Sequence, residues 1–213
     1  MGSNEESFRN ADTVLVTGFG PFGMHTTNAS IEAVKLLPSL NLEQDLEIKL
    51  VTKEIPVTYD YVQTNIPLMW EMYKPKLVVH VGVSSTAYEL NLETQAFNTG
   101  YCSPDITGCF PNNGVCIPGS CERITTGIDM RKICQHVNHS SDCGVVSCVS
   151  DDPGRYLCDF IYYTSLSIDR ARVAFVHVPV LNKPYTALQL AQAIKSAIAA
   201  MLYQIREMDG AEH

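Results

Sequence analysis

Apolar positions along the chain follow two rhythms. Short continuous runs, Thr13 to Thr17, Leu77 to Val83 and Val173 to Val178, read as strands buried on both faces, and Gly144 to Val149 is a further apolar β-type run. Leu46 to Lys53 and Leu90 to Thr94 alternate apolar with polar residues, the period of an extended segment. Between them the spacing becomes helical. Ile31 to Leu37 is stopped by Pro38, Tyr59 to Tyr73 carries Pro67 as a kink, and Ile128 to Val137 is short. Cys158 to Leu166 is helical in pattern, and Pro184 to Met208 is a long helix that buries Leu188, Ala191, Ile194, Ile198 and Met201. Alternating strands and helices predict an α/β fold, a three-layer α/β/α sandwich around a mainly parallel twisted sheet. Repeats, low-complexity tracts and linkers are absent, so residues 1–213 read as one domain with a polar N-terminus at 1–12. Residues 99–123 form a cysteine-rich loop insertion that reads as a lid or rim.

The net charge of −8 argues against a nucleic-acid or anionic-membrane surface. Apolar runs fall well short of the ~20 residues of a membrane span. The first twelve residues are polar and do not resemble a secretory leader. The eight cysteines then suggest reduced thiols and a cytoplasmic protein rather than a disulfide framework. Cysteine gaps in the 99–123 loop do not fit paired zinc ligands, and Cys134, His136, His139 and Cys143 straddle a helix end without sharing a face.

Chemistry concentrates at Ser150 to Phe160, a turn between an apolar β run and a helix. Asp152 can cap that helix with Pro153 in its first position; a start nearer Tyr156 instead leaves 151–154 as the turn. Either start puts Cys158 in the first or second helical turn, where the helix dipole and free N–H groups favour a thiolate. His177, near the end of its strand, can face the same crevice. Cys148 is the alternative sulfur, two residues before the turn. His80, in the middle of a buried strand, reads as a core residue. Glu93 is a solvent-facing carboxylate or the group that orients a histidine; spacing leaves both open. Gly18-Phe19-Gly20-Pro21-Phe22-Gly23 has the form of a dinucleotide fingerprint, but Pro21 removes an N–H and two phenylalanines stand where a pyrophosphate needs bare backbone. Phe19 and Phe22 suit a small, flat, mostly neutral ligand, or simply fill core.

Several of these stretches together resemble one family, pyroglutamyl-peptidase I (pyrrolidone-carboxylate peptidase), and within it the animal-type members. They are Val16 to Gly23 with Asn28-Ala29-Ser30, Lys53 to Val57, His80 to Ser84, Leu92-Glu93, Gly154 to Asp159, Phe175 to Pro179 and Lys183-Pro184-Tyr185, in order across roughly residues 13–205. The resemblance implies a cysteine exopeptidase that hydrolyses an N-terminal pyroglutamyl residue from peptides through a thioester, with no metal or organic cofactor. It implies Cys158 as nucleophile, His177 as its histidine, Glu93 as the catalytic glutamate, and Phe19 and Phe22 as the walls of the lactam pocket. It points to a monomer rather than the tetramer of some members. Bacterial members carry an arginine about ten residues after the glutamate; Cys102-Ser103-Pro104 occupies that neighbourhood here, so no such arginine carries over. Pro153 replaces the usual alanine of the turn.

Overall fold

In the computed structural model the described residues are 11–23, 27–140 and 144–211. The polar segment 1–10 and Cys143, both considered above, lie outside them. The chain runs β1 (Asp12–Phe19), α1 (Ala29–Leu36), α2 (Leu42–Leu46), β2 (Ile48–Ile55), α3 (Tyr59–Tyr73), β3 (Leu77–Val83), β4 (Leu90–Glu93), β5 (Gln95–Phe97), β6 (Arg123–Thr125), α4 (Met130–Ser140), β7 (Ser147–Ser150), α5 (Leu157–Asp169), β8 (Val173–Val178) and α6 (Ala187–Ala211). Six strands form the main sheet in the order β2-β1-β3-β8-β4-β7, and β5 and β6 make a separate antiparallel pair.

The sheet is parallel from β2 to β8, as the buried apolar runs require. Its β4–β7 edge is reversed: β4 is parallel to β7 but antiparallel to β8. The strand that feeds Cys158 therefore runs opposite to the strand that carries His177. Two cores cover the two faces. Residues of α1, α4 and α6 pack with Val14, Val79 and Val176 on one side. Residues of α3 and α5 pack with Leu15, Val78 and Phe175 on the other. Strand alternation assigns successive residues to opposite faces, so the apolar runs fill both cores at once.

The long C-terminal helix buries Ala191, Ile194, Ile198 and Met201 as expected. Leu188 does not join them; it is 48% exposed, and Leu190, four residues before Ile194, takes the buried place in the first turn. Among the described residues, no helix is long and apolar enough to cross a membrane.

His80 is fully buried, and its ring bonds Thr17 Oγ1 and Ser165 Oγ, both at 2.7 Å. Trp70 Nε1 donates to the same Ser165 hydroxyl, so one polar chain ties β1, β3, α3 and α5. Burial pushes His80 down to about 3, which keeps it neutral and structural.

The 99–123 segment, read above as a lid or rim, packs against α3 and α5. Asp105 caps α3 through the Tyr59 N–H at 3.0 Å, and Tyr59 and Tyr156 donate to the carbonyls of Ser103 and Pro104. Its root is tied to α5 by Asp159, which accepts from the Phe97 N–H at 2.9 Å and the Tyr101 hydroxyl at 3.1 Å. The Arg155 guanidinium lies 3.7 Å from the Phe97 ring centroid and 3.8 Å from Asp159. The segment thus packs behind the turn that carries Cys158, and none of its residues lines the cavity described next.

Candidate active site

One row of residues crosses the sheet beneath a cavity of about 400 Å³, which its Phe19, His177 and Asn91 line. The register sets Gly82 of β3 beside His177 of β8, His177 beside Asn91 of β4, and Asn91 beside Cys148 of β7. Gly18 pairs with Val81, so Phe19 at the end of β1 falls beside Gly82. All point to the face covered by α3 and α5.

Cys158 descends onto this row from above. Helix α5 starts at Leu157, with Tyr156 at its N-cap and no side chain capping it. The later of the two possible starts is the one adopted, and 151–154 is the turn. That turn is closed by Asp152, whose Oδ1 accepts from the Gly154 N–H at 3.1 Å and from Arg155 at 2.7 Å, while Gly154 takes a φ of +83°. The first intrahelical bond here is Phe160 N–H to the Tyr156 carbonyl at 3.0 Å. The N–H groups of Leu157, Cys158 and Asp159 therefore precede the helical ladder, and the positive end of the helix dipole lies at the sulfur.

The sulfur rests over Gly82. A Cβ at that position would lie 2.7 Å from Cys158 Sγ and 2.7 Å from Phe175 Cζ, so only glycine leaves room for the thiol. Sequence reasoning passed over Gly82, although a glycine inside a buried strand is the ordinary signal of close approach.

The His177 ring is held on both sides. Nδ1 lies 2.8 Å from Glu93 Oε1, and the Cys158 sulfur is close enough to act on the ring's charge. Burial would lower the proton affinity of this imidazole. The Cys158 sulfur and then the Glu93 carboxylate outweigh burial and raise it to about 10. Glu93 is 1% exposed, which excludes the solvent-facing reading of that carboxylate. Among the described residues its Oε2 has no hydrogen-bond partner. Tyr162 donates to the Glu93 carbonyl at 2.9 Å and fixes the strand beneath it.

Cys158, His177 and Glu93, far apart in the chain, thus form one line that opens on the cavity. Phe19 and Phe22 line its other end with Val57 and Val83. Phe19 is also core, 3% exposed and in one buried cluster with Ile55 and Phe175. The glycine loop is held by Asn28, the N-cap of α1: Nδ2 donates to the Gly20 carbonyl and Oδ1 accepts from the Ser30 N–H. Cys148, the alternative sulfur, stands in the same row with Asn91 and His177 between it and Gly82.

Comparison with known proteins shows the family and the fold. The family model for pyroglutamyl peptidase matches residues 12–206. Pyroglutamyl-peptidase 1 of Mus musculus is 46% identical over 92% of this chain and 93% of its own length, and that of Homo sapiens is 45% identical over the same shares. In fold the chain is similar to the pyroglutamyl peptidase I of Bacillus amyloliquefaciens, with a TM-score of 0.79 at 23% identity over 90% of this chain and 97% of that one. A mutant pyrrolidone carboxyl peptidase from Pyrococcus furiosus gives a TM-score of 0.80 at 22% identity over 91% of this chain and 99% of that one. With a family match across nearly its whole length and mammalian relatives at this identity, the chain belongs to the pyroglutamyl peptidase family.

Proposed function

We propose that this protein is a cysteine exopeptidase that removes an N-terminal pyroglutamyl residue from peptides, with Cys158, His177 and Glu93 as its catalytic residues and Phe19 and Phe22 as its lactam-binding residues. The single observation that carries the reading is the line from the Cys158 thiol through His177 to the buried Glu93, ending in a cavity walled by the two phenylalanines.

The Cys158 sulfur attacks the carbonyl carbon of the pyroglutamyl–X bond, and the carbonyl oxygen becomes an oxyanion. The Cys158 N–H at the start of α5 faces that charge; one such donor typically lowers the barrier by ~3 kcal/mol. His177, protonated, gives its proton to the leaving nitrogen as the C–N bond breaks, and a thioester remains. Water then attacks the thioester with His177 as base, and pyroglutamate leaves. Glu93 keeps the proton on Nδ1 and stabilises the imidazolium. None of these steps calls for a metal or an organic cofactor.

Specificity follows from the apolar end. A five-membered lactam is flat and neutral and fits between Phe19 and Phe22. An N-terminal proline or glutamine brings an ammonium to the two phenylalanine rings, and burying that charge there is costly. Cys102, Cys109 and Cys121 are exposed free thiols, which supports a reducing, cytoplasmic setting. The animal-type similarity supports a monomer, which sedimentation tests.

The experiment is hydrolysis of pyroglutamyl-aminomethylcoumarin beside its prolyl and glutaminyl analogues, with and without iodoacetamide. Cleavage of the first alone, abolished by the alkylating agent, is the expected result. Equal cleavage of all three removes the lactam pocket from the reading, and activity that survives alkylation removes the thiol.

A further inference from the structure

The row beneath the cavity has a direction. From β1 to β7 it runs Phe19, Gly82 under the Cys158 sulfur, His177, Asn91, Cys148. If pyroglutamate sits at Phe19 and the scissile carbonyl at the sulfur, as proposed above, the leaving nitrogen lies at His177. The rest of the peptide then continues toward β4. Strands are ~4.8 Å apart and a residue spans at most ~3.6 Å, so the first one or two leaving residues pass over Asn91.

Asn91 is built to meet them. It shares a face of β4 with Glu93, lines the cavity and is partly exposed. Its Oδ1 accepts from the Cys148 thiol at 3.2 Å. That thiol is pushed up to about 11, first by burial and then by Glu89, so it stays protonated and acts as a donor. A donating thiol fixes which end of the amide faces β7. The other end, Nδ2, is the donor, and among the described residues it has no acceptor.

We propose that Asn91 is a substrate-positioning residue for the leaving peptide: its Nδ2 donates to a main-chain carbonyl just beyond the scissile bond, with Cys148 setting the orientation of the amide. The site thereby reads a peptide rather than any pyroglutamyl amide, and the inference rests on the peptidase reading given above.

The test compares two substrates, pyroglutamyl-alanyl-alanine amide and pyroglutamyl-isopropylamide, the second without a main-chain carbonyl in its leaving group. The readout is the ratio of their kcat/KM values, which cancels differences in protein yield. In Asn91→Ala the preference for the peptide falls three- to tenfold relative to the parent protein, the range of one neutral hydrogen bond. Asn91→Ser gives the same reading if the alanine variant does not fold. Cys148→Ala, which frees the amide to turn, lowers the preference in the same direction. An unchanged ratio in the Asn91 variants overturns the proposal. So does an equal loss on both substrates with a displaced pH profile, which would make Asn91 a support for His177. A parent protein that cleaves neither substrate overturns the peptidase reading, and this inference with it.

Discussion

Replacing Glu93 by glutamine keeps the shape of the site and removes one buried charge. Glu93 Oε1 lies 2.8 Å from His177 Nδ1, and among the described residues Oε2 has no hydrogen-bond partner. At an effective dielectric of about 20, two unit charges some 4 Å apart attract by about 4 kcal/mol, equivalent to roughly three pH units in the proton affinity of the imidazole. His177, raised to about 10 in the parent protein, then titrates near neutrality in Glu93→Gln. The mechanism needs His177 protonated when the amine leaves. At pH 8 only about a tenth of the variant would carry that proton, so turnover falls at least tenfold there and more above it. The assay is the pH profile of kcat on pyroglutamyl-aminomethylcoumarin. The basic limb should move down by about three pH units, while KM changes little because Glu93 does not touch the lactam. The fold should survive, since glutamine is isosteric and a buried charge disappears. A basic limb at the same pH as in the parent, in a variant that melts normally, would refute the assignment of Glu93 to His177.

Two other perturbations probe different parts of the structure. Gly82→Ala introduces a methyl group 2.7 Å from the Cys158 sulfur, and a displacement of about 1 Å at a nucleophile can cost ~100-fold. Hydrolysis should fall by that order while thermal melting shows a folded protein; activity within threefold of the parent would mean that the sulfur does not rest over β3. Asp159 is fully buried, and burial raises its carboxyl from near 3.8 to about 7 against the pull of the Phe97 N–H, Arg155 and Tyr101. A carboxyl raised on folding contributes stability in full below its unfolded value, and that stability is lost as pH rises through about 7. Denaturant unfolding between pH 4 and 8 should therefore show the parent losing stability relative to Asp159→Asn; parallel curves would place the carboxyl in a milder environment.

Much of the fold was legible in the chain because burial on both faces of a parallel sheet leaves continuous apolar runs. Helix α3 matches its sequence limits, and Pro67 lies inside it. The reversed β4–β7 edge was not legible. A four-residue strand alternating apolar and polar carries no mark of its direction, which is set by its pairing with β8 on one side and β7 on the other. The pair β5–β6 escaped for the same reason: three-residue strands exist only through their partner. Leu188 was misplaced because the helical period gives relative positions on a face but not where the covering layer ends.

The site was legible in its chemistry and hidden in its arrangement. Cys158 could be placed at a helix start from Pro153-Gly154 and the apolar run that follows. His177 and Glu93 could be named as partners only through resemblance, because their contact spans 84 positions and depends on strand register. Gly82 and Asn91 gain their meaning from the same register, which places them on either side of His177 in the row. The 99–123 segment read as a lid or rim because long loops near active sites often are; which contacts hold it to α3 and α5 could not be read from its sequence.

The most direct test of the central claim, that Cys158 and the aromatic pocket act on one substrate, is covalent labelling with pyroglutamyl chloromethyl ketone followed by peptide mass mapping. One label should appear on Cys158, its rate reduced by excess 2-pyrrolidone and its formation abolished in Cys158→Ala. Label on Cys148 in place of Cys158, or labelling of Cys158 that the free lactam does not slow, would contradict it.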